Sequence, residues 1–204
     1  MISKSHKFIV VMPMKTAATS FSHALLPYCD VDNVIPQRED CFDFTDKFNK
    51  WSKHTPIETI IRKWSLVYPE ENLAEYKCFG LVRNPWARAI SCYLWFVQKN
   101  GNEGIDPEHF LWFLGEINMM SCTAAMSFGG QRVVNGVISF DNLEEGFARL
   151  KHEVGLPKNL ELPHINTTRH KPYHEHYTPE MREAVATRYQ DDIAEFGFQF
   201  GAAN

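Results

Sequence analysis

Glycine is missing where a nucleoside-triphosphate loop would need it. The run "KFIVVM" (7–12) leads into "PMKTAATSF" (13–21), and the positions that a G-x-x-x-x-G-K-[ST] loop reserves for glycine hold Ile9 and Met14. Only Lys15-Thr16 of that pattern survives, which argues against an ordinary ATPase or GTPase. Paired cysteines are lacking too. Cys29, Cys41, Cys78, Cys92 and Cys122 form no C-x-x-C pair and leave an odd count of five. That speaks against a disulfide framework or a zinc ribbon and for a reducing compartment. There is no excess of positive charge, the formal net charge being −4, so nucleic-acid binding held by charge is not expected. The apolar run near the N-terminus spans only Phe8 to Met12, too short for a signal-peptide core or a membrane span. A cytoplasmic location without a membrane partner is the expectation. No internal repeat or low-complexity linker divides the 204 residues, and 44% hydrophobic content suits a single globular domain over 1–204.

What is present reads as alternating strands and helices. "KFIVVM" and "KCFGLV" (77–82) are apolar runs of the kind that form parallel strands buried on both faces. A third short strand is predicted at "GVISF" (136–140). Helices are predicted over 19–27, from Asn84-Pro85 onward with Asn84 as cap, over 142–155 closing at Gly155, and as one long segment over 178–196. In that last segment Met181, Val185, Tyr189, Ile193 and Phe196 form one stripe. The fold class is therefore α/β, a parallel sheet flanked by helices in three layers.

Ligands of such sheets bind beyond the carboxyl ends of the strands. Lys15 and Arg83 both fall there, each just after a buried strand and just before a helix. A helix start supplies backbone N–H groups and partial positive charge, and Thr16, Thr19 and Ser20 add hydroxyls. Two cations at two strand ends suit a ligand with two separated anionic groups. The competing reading is a solvated turn lysine and a helix-cap arginine; their joint placement favours the anion site.

The segments themselves resemble a known family. "PMKTAATSF" is similar to the 5′-phosphosulfate-binding loop of sulfotransferases, written P-K-T-G-x-T-S. "LVRNPWARAISCYLWF" resembles their 3′-phosphate-binding segment, with Arg83 followed eight positions later by Ser91 on a helix opened by Asn-Pro. The tail from Leu162 to Phe200 resembles the carbohydrate-type branch. The matches run from residue 8 to 198, leaving 29–50 and 100–135 without counterpart. Ala17 and Ala18 stand where the family often has glycine. Because alanine resists positive φ, ordinary dihedrals are expected there.

This resemblance implies a P-loop-like sulfotransferase architecture. It also implies a co-substrate, 3′-phosphoadenosine 5′-phosphosulfate (PAPS), and an acceptor hydroxyl on a glycan or small alcohol. Lys15 would stabilise the departing phosphate, with Thr16, Ala17, Ala18, Thr19 and Ser20 wrapping the 5′ side through N–H or hydroxyl groups. Arg83 and Ser91 would hold the 3′-phosphate, arginine because its guanidinium grips two oxygens at once. Arg88 reads as a structural ion-pair partner. Trp86, Tyr93, Trp95 and Phe96 read as core. His54, just before the helix opened by Thr55-Pro56, is the candidate base, since family members often carry a histidine in this region. Thr168 and Arg169, with Lys171, are expected in a late loop closing over the nucleotide or meeting an anionic acceptor. His164, His170, His174 and His176 cluster without an HExxH pattern, so no metal is expected. The alternative is a non-catalytic protein on the same fold that binds adenosine bisphosphate or sulfated glycans. Such a binder would need neither Lys15 nor His54.

Overall fold

The computed structural model describes residues 1–29, 53–99, 104–165 and 171–201. A four-stranded sheet forms its centre, in the order β1 (Ile2–Ser3), β2 (Phe8–Val11), β3 (Lys77–Val82), β6 (Gly136–Ser139). Strand β2 (Phe8–Val11) is buried along its whole length and pairs in parallel with β3 (Lys77–Val82), Val10 lying opposite Phe79. Strand β3 pairs in parallel with β6 (Gly136–Ser139), Leu81 lying opposite Ile138. The fourth strand departs from the wholly parallel sheet expected. Strand β1 (Ile2–Ser3) runs antiparallel to β2, because the short turn Lys4–Lys7 returns the chain directly, whereas a parallel neighbour needs a long crossover. The fold is thus mixed α/β.

Alternation along β2 splits the core between the two faces of the sheet. Phe8, Val10 and Met12 pack with Phe79 and Leu81 against helices α1 (Ala18–Leu25) and α6 (Leu143–Glu153). Ile9 and Val11 pack with Cys78 and Val82 against α2 (Ile57–Val67) and the short α5 (Cys122–Ala125). Full burial of a Phe, Ile or Val side chain contributes about 1.5–3 kcal/mol, so this double-sided core makes the strands the firm base of the site. A third cluster joins α3 (Pro85–Lys99), α4 (Pro107–Glu116) and α7 (Pro179–Arg188) through Ile90, Tyr93, Phe110, Met181 and Val185.

The predicted strands and the first helices appear within a residue or two. Asn84 caps α3 as expected, its Oδ1 accepting from the N–H groups of Trp86 (3.1 Å) and Ala87 (3.4 Å). Gly155, just beyond α6, has φ +69°, the left-handed conformation that closes a helix without strain. The predicted helix over 178–196 is broken in two. It bends at Tyr189 (φ −117°, ψ 30°), and α8 (Gln190–Phe196) follows at a new angle. Ile193 stays half-buried against the cluster of Met181, Val185 and Tyr189, as the stripe predicted, and the bend also buries Asp192. Between α5 and β6, β4 (Ser127–Phe128) and β5 (Gln131–Arg132) form a hairpin on Gly129 and Gly130, both at positive φ. Among the described residues no helix is long and apolar enough to cross a membrane.

Candidate functional site

Four consecutive backbone carbonyls at the end of β2 accept hydrogen bonds from four side chains. The Met12 carbonyl accepts from His54 Nδ1 (2.7 Å) and the Pro13 carbonyl from Thr16 Oγ1 (2.6 Å). The Met14 carbonyl accepts from Arg88 Nε (2.8 Å) and the Lys15 carbonyl from Arg83 Nη1 (3.2 Å). In a trans peptide the N–H points opposite to the C=O. Each of these bonds therefore fixes one peptide plane and turns the N–H behind it, that of Met14, Lys15 or Thr16, away from the donor that holds the carbonyl. Lys15 (φ 64°) and Ala17 (φ 69°) are left-handed, with Thr16 between them at negative φ. Alternating hand of this kind gathers successive N–H groups into an anion-binding concavity.

The left-handed Ala17 corrects the expectation of ordinary dihedrals. Its surroundings hold it there: Ala17 is the N-cap of α1, and its carbonyl accepts from Phe21 N (3.2 Å). No side chain caps that helix, so the first-turn amides of Ala18, Thr19 and Ser20 have no acceptor within it. A non-glycine residue at such dihedrals costs on the order of 1 kcal/mol, more when β-branched. Ala17→Val should thus lower the melting temperature by several degrees, while Ala17→Gly holds or raises it. Thermal unfolding followed by circular dichroism checks that order; a valine variant as stable as the parent would refute the strain.

Arg83 is 8% exposed at the end of β3. Its guanidinium lies 4.0 Å from the ring centre of Phe140, which leaves the end of β6, so three adjacent strand ends meet on one cation. Burial pulls its pKa down to about 10, opposed by the Asp141 carboxylate, and it stays charged at neutral pH. Its Nε is buried and has no hydrogen-bond partner among the described residues. A charged donor in that condition is costly unless something else satisfies it, and an anion would.

Lys15 Nζ lies 5.7 Å from the ring centre of Trp95 on α3. Arg88, which holds the Met14 carbonyl, and Trp95 flank Ser91 at i−3 and i+4, so Ser91 sits on the α3 face that borders the loop. Lys15, Arg83 and Ser91 are thereby gathered at the carboxyl ends of β2 and β3. The Ser20 hydroxyl, on α1, accepts from Ile165 N (3.3 Å). Thr168 and Arg169 lie outside the described residues.

His54 is half-buried beside the loop, and its tautomer follows from its partner. A carbonyl can only accept, so Nδ1 carries the proton toward Met12 and Nε2 is the basic nitrogen. Burial lowers its pKa to about 4, with Lys53 and Arg88 adding to the shift and the Met12 bond opposing it. The imidazole is neutral across the physiological range. Of the later histidines, His164 Nε2 lies 3.5 Å from Glu144 Oε1 at the surface, and among the described residues no group of three or more His, Cys, Asp or Glu is placed to hold a metal.

Arg88 is the structural ion-pair partner that the sequence suggested, paired with Asp192. Phe140 and Asp192 escaped the sequence reading as parts of the site, because each acts through a contact distant in the chain. The isolated carbonyl acceptors have no sequence signature at all.

No family model matches the chain. An uncharacterized protein from Archaeoglobus fulgidus is 30% identical over 95 residues, a match that spans 45% of this chain and 78% of that relative. The chain belongs to the same family as this archaeal protein, whose name conveys no function. Among solved structures, a sulfotransferase from Alicyclobacillus acidocaldarius aligns over 92% of each chain with a TM-score of 0.45 and 14% identity. Likeness at that level assigns neither activity nor substrate.

Proposed function

We propose that the protein is a sulfotransferase that moves a sulfuryl group from PAPS to an acceptor hydroxyl, on a carbohydrate or a small alcohol. The observation that carries this reading is the loop whose four carbonyls are turned away by His54, Thr16, Arg88 and Arg83. The same short stretch carries the Lys15 ammonium, the left-handed Lys15 and Ala17, and the uncapped start of α1. Arg83 Nε, buried and without a partner among the described residues, fits the second anionic group of such a donor. In the reaction an acceptor oxygen bonds to sulfur, the sulfur–oxygen bond to the 5′-phosphate breaks, and the acceptor proton goes to a base.

The residues take distinct parts. Lys15 stabilises the charge that develops on the departing phosphate, while the amides of Thr16 to Ser20 bind that phosphate throughout. Arg83 and Ser91 hold the 3′-phosphate, which sets the donor in line with the acceptor. His54 Nε2 accepts the acceptor proton. The sulfuryl group carries less charge than a phosphoryl group, so a metal clamp is not required, and turnover should survive EDTA unchanged. Complete loss on chelation, restored by zinc or magnesium, would overturn that part.

Arg83→Ala tests the donor assignment. Losing a charge-assisted contact to the 3′-phosphate should weaken adenosine 3′,5′-bisphosphate binding by about 2–4 kcal/mol, roughly 30- to 1,000-fold in Kd. Calorimetry on the folded variant reads it directly. An unchanged Kd would remove Arg83 from the site.

A further inference from the structure

Arg88 and Asp192 are 1% and 0% exposed, a buried charge pair beneath the loop. Arg88 Nη1 lies 3.7 Å from Asp192 Oδ2, and the other two nitrogens reach elsewhere. Nε donates to the Met14 carbonyl (2.8 Å) and Nη2 to the Met120 carbonyl (2.6 Å). Asp192 in turn accepts from the N–H groups of Cys122 (2.9 Å) and Thr123 (2.8 Å), at the start of α5. One guanidinium thus joins the residue before Lys15, the segment leading into α5, and α8. The bend at Tyr189 is what brings Asp192 into this position.

We propose that Arg88 and Asp192 are a positioning pair that holds the Pro13–Ala17 loop in its anion-binding form. This rests on the sulfotransferase reading for what the loop binds. A buried ion pair is a poor device for stability, since well-packed apolar residues often serve as well. What it supplies here is geometry. Fixing the Met14 carbonyl orients the Lys15 amide and sustains the left-handed Lys15, a conformation that persists only where neighbours over-determine it. Arg88 donates through Nε and Nη2 to two carbonyls, while Nη1 faces the Asp192 carboxylate as an ion pair without a hydrogen bond among the described residues, so the contacts it makes are with the loop and its support. Lysine cannot replace it, because a single ammonium cannot span carbonyls on two segments in the plane that a guanidinium fork imposes.

Arg88→Lys keeps the charge beside Asp192 and removes the fork. Hydrogen exchange followed by mass spectrometry should show the amides of residues 13–20 exchanging about tenfold faster, with β2 and β3 unchanged. Adenosine 3′,5′-bisphosphate affinity should fall about tenfold. The double variant Arg88→Met/Asp192→Asn removes both charges; its melting temperature should exceed that of Arg88→Met alone, without recovery of affinity. Wild-type exchange in the loop of Arg88→Lys, uniform acceleration across the protein, or affinity that recovers together with stability would each overturn the proposal. So would failure of every variant to fold, which would make the pair a stability element. If the wild-type protein does not bind the bisphosphate, the donor assignment fails instead, and the exchange pattern still decides the pair.

Discussion

His54→Ala is expected to lower turnover about 10²–10⁴-fold and to leave the affinity for adenosine 3′,5′-bisphosphate within about twofold of wild type. The imidazole holds the Met12 carbonyl through Nδ1, and because residue 13 is proline that peptide has no N–H to turn toward an anion; in the proposed reaction, removing the ring deletes the proton acceptor Nε2 and leaves Lys15 and Arg83 in place. Burial sets the pH at which this shows. With the pKa at about 4, the acid limb of kcat/KM, which reports the free protein, lies near pH 4 instead of at the usual histidine value. Binding an anionic donor beside the ring favours the imidazolium, so the limb in kcat moves to higher pH. Stability follows the same shift with a defined sign. The folded pKa lies below the unfolded value of about 6.5, so unfolded chains bind more protons between the two. Stability from this group is full above pH 6.5 and is lost as pH falls toward 4. Its magnitude is on the order of 2 kcal/mol, after discounting for the part of the ring that water still reaches. A His54→Ala protein that binds the bisphosphate normally and still turns over at the wild-type rate would place the base elsewhere, with the histidines of 164–176 next to be tested.

Lys15→Ala is expected to cost about 10²–10³-fold in turnover, to a similar extent with every acceptor. The reason is where its charge acts. Lys15 lies at the turn between β2 and α1, against Trp95, and in the proposed reaction its interaction with the leaving phosphate would grow as the sulfur–oxygen bond breaks. Contacts that strengthen only in the transition state appear in kcat, so KM for the donor should change little by comparison. An effect confined to KM would make Lys15 a simple binding residue, and a strong dependence on acceptor would move it to the acceptor side. The left-handed Lys15 is a separate matter from its charge: alanine tolerates that dihedral no worse, so a folded variant is expected.

Much of this site can be read along the chain because it is built from strand ends. A β-branched run closed by Pro13, and another closed by Arg83-Asn84-Pro85, place two cations at helix starts by local rules alone: burial periodicity, capping, and the fixed φ of proline. The segments left unread, 104–135, carry signals of the same type. Asp106 caps α4 before Pro107, Ser121 caps α5, and Gly129-Gly130 makes the hairpin turn. These elements are short, and short elements compete poorly against loop readings when judged by periodicity.

The sequence by itself determined the alternation of strands and helices, the capped start of α3, and the presence of Lys15 and Arg83 at adjacent strand ends. Those features depend on neighbours within a turn or two of the chain. Tertiary structure decided the rest. It made Ala17 left-handed against its intrinsic preference and bent the last helix at Tyr189 so that Asp192 is buried. It also lowered the pKa of His54 and set His54, Arg83 and Arg88, from two distant segments, on three loop carbonyls beside the local Thr16 bond. Each of these depends on burial and on hydrogen bonds formed in three dimensions, whose energies of about 1 kcal/mol or more apiece exceed the local propensities they override.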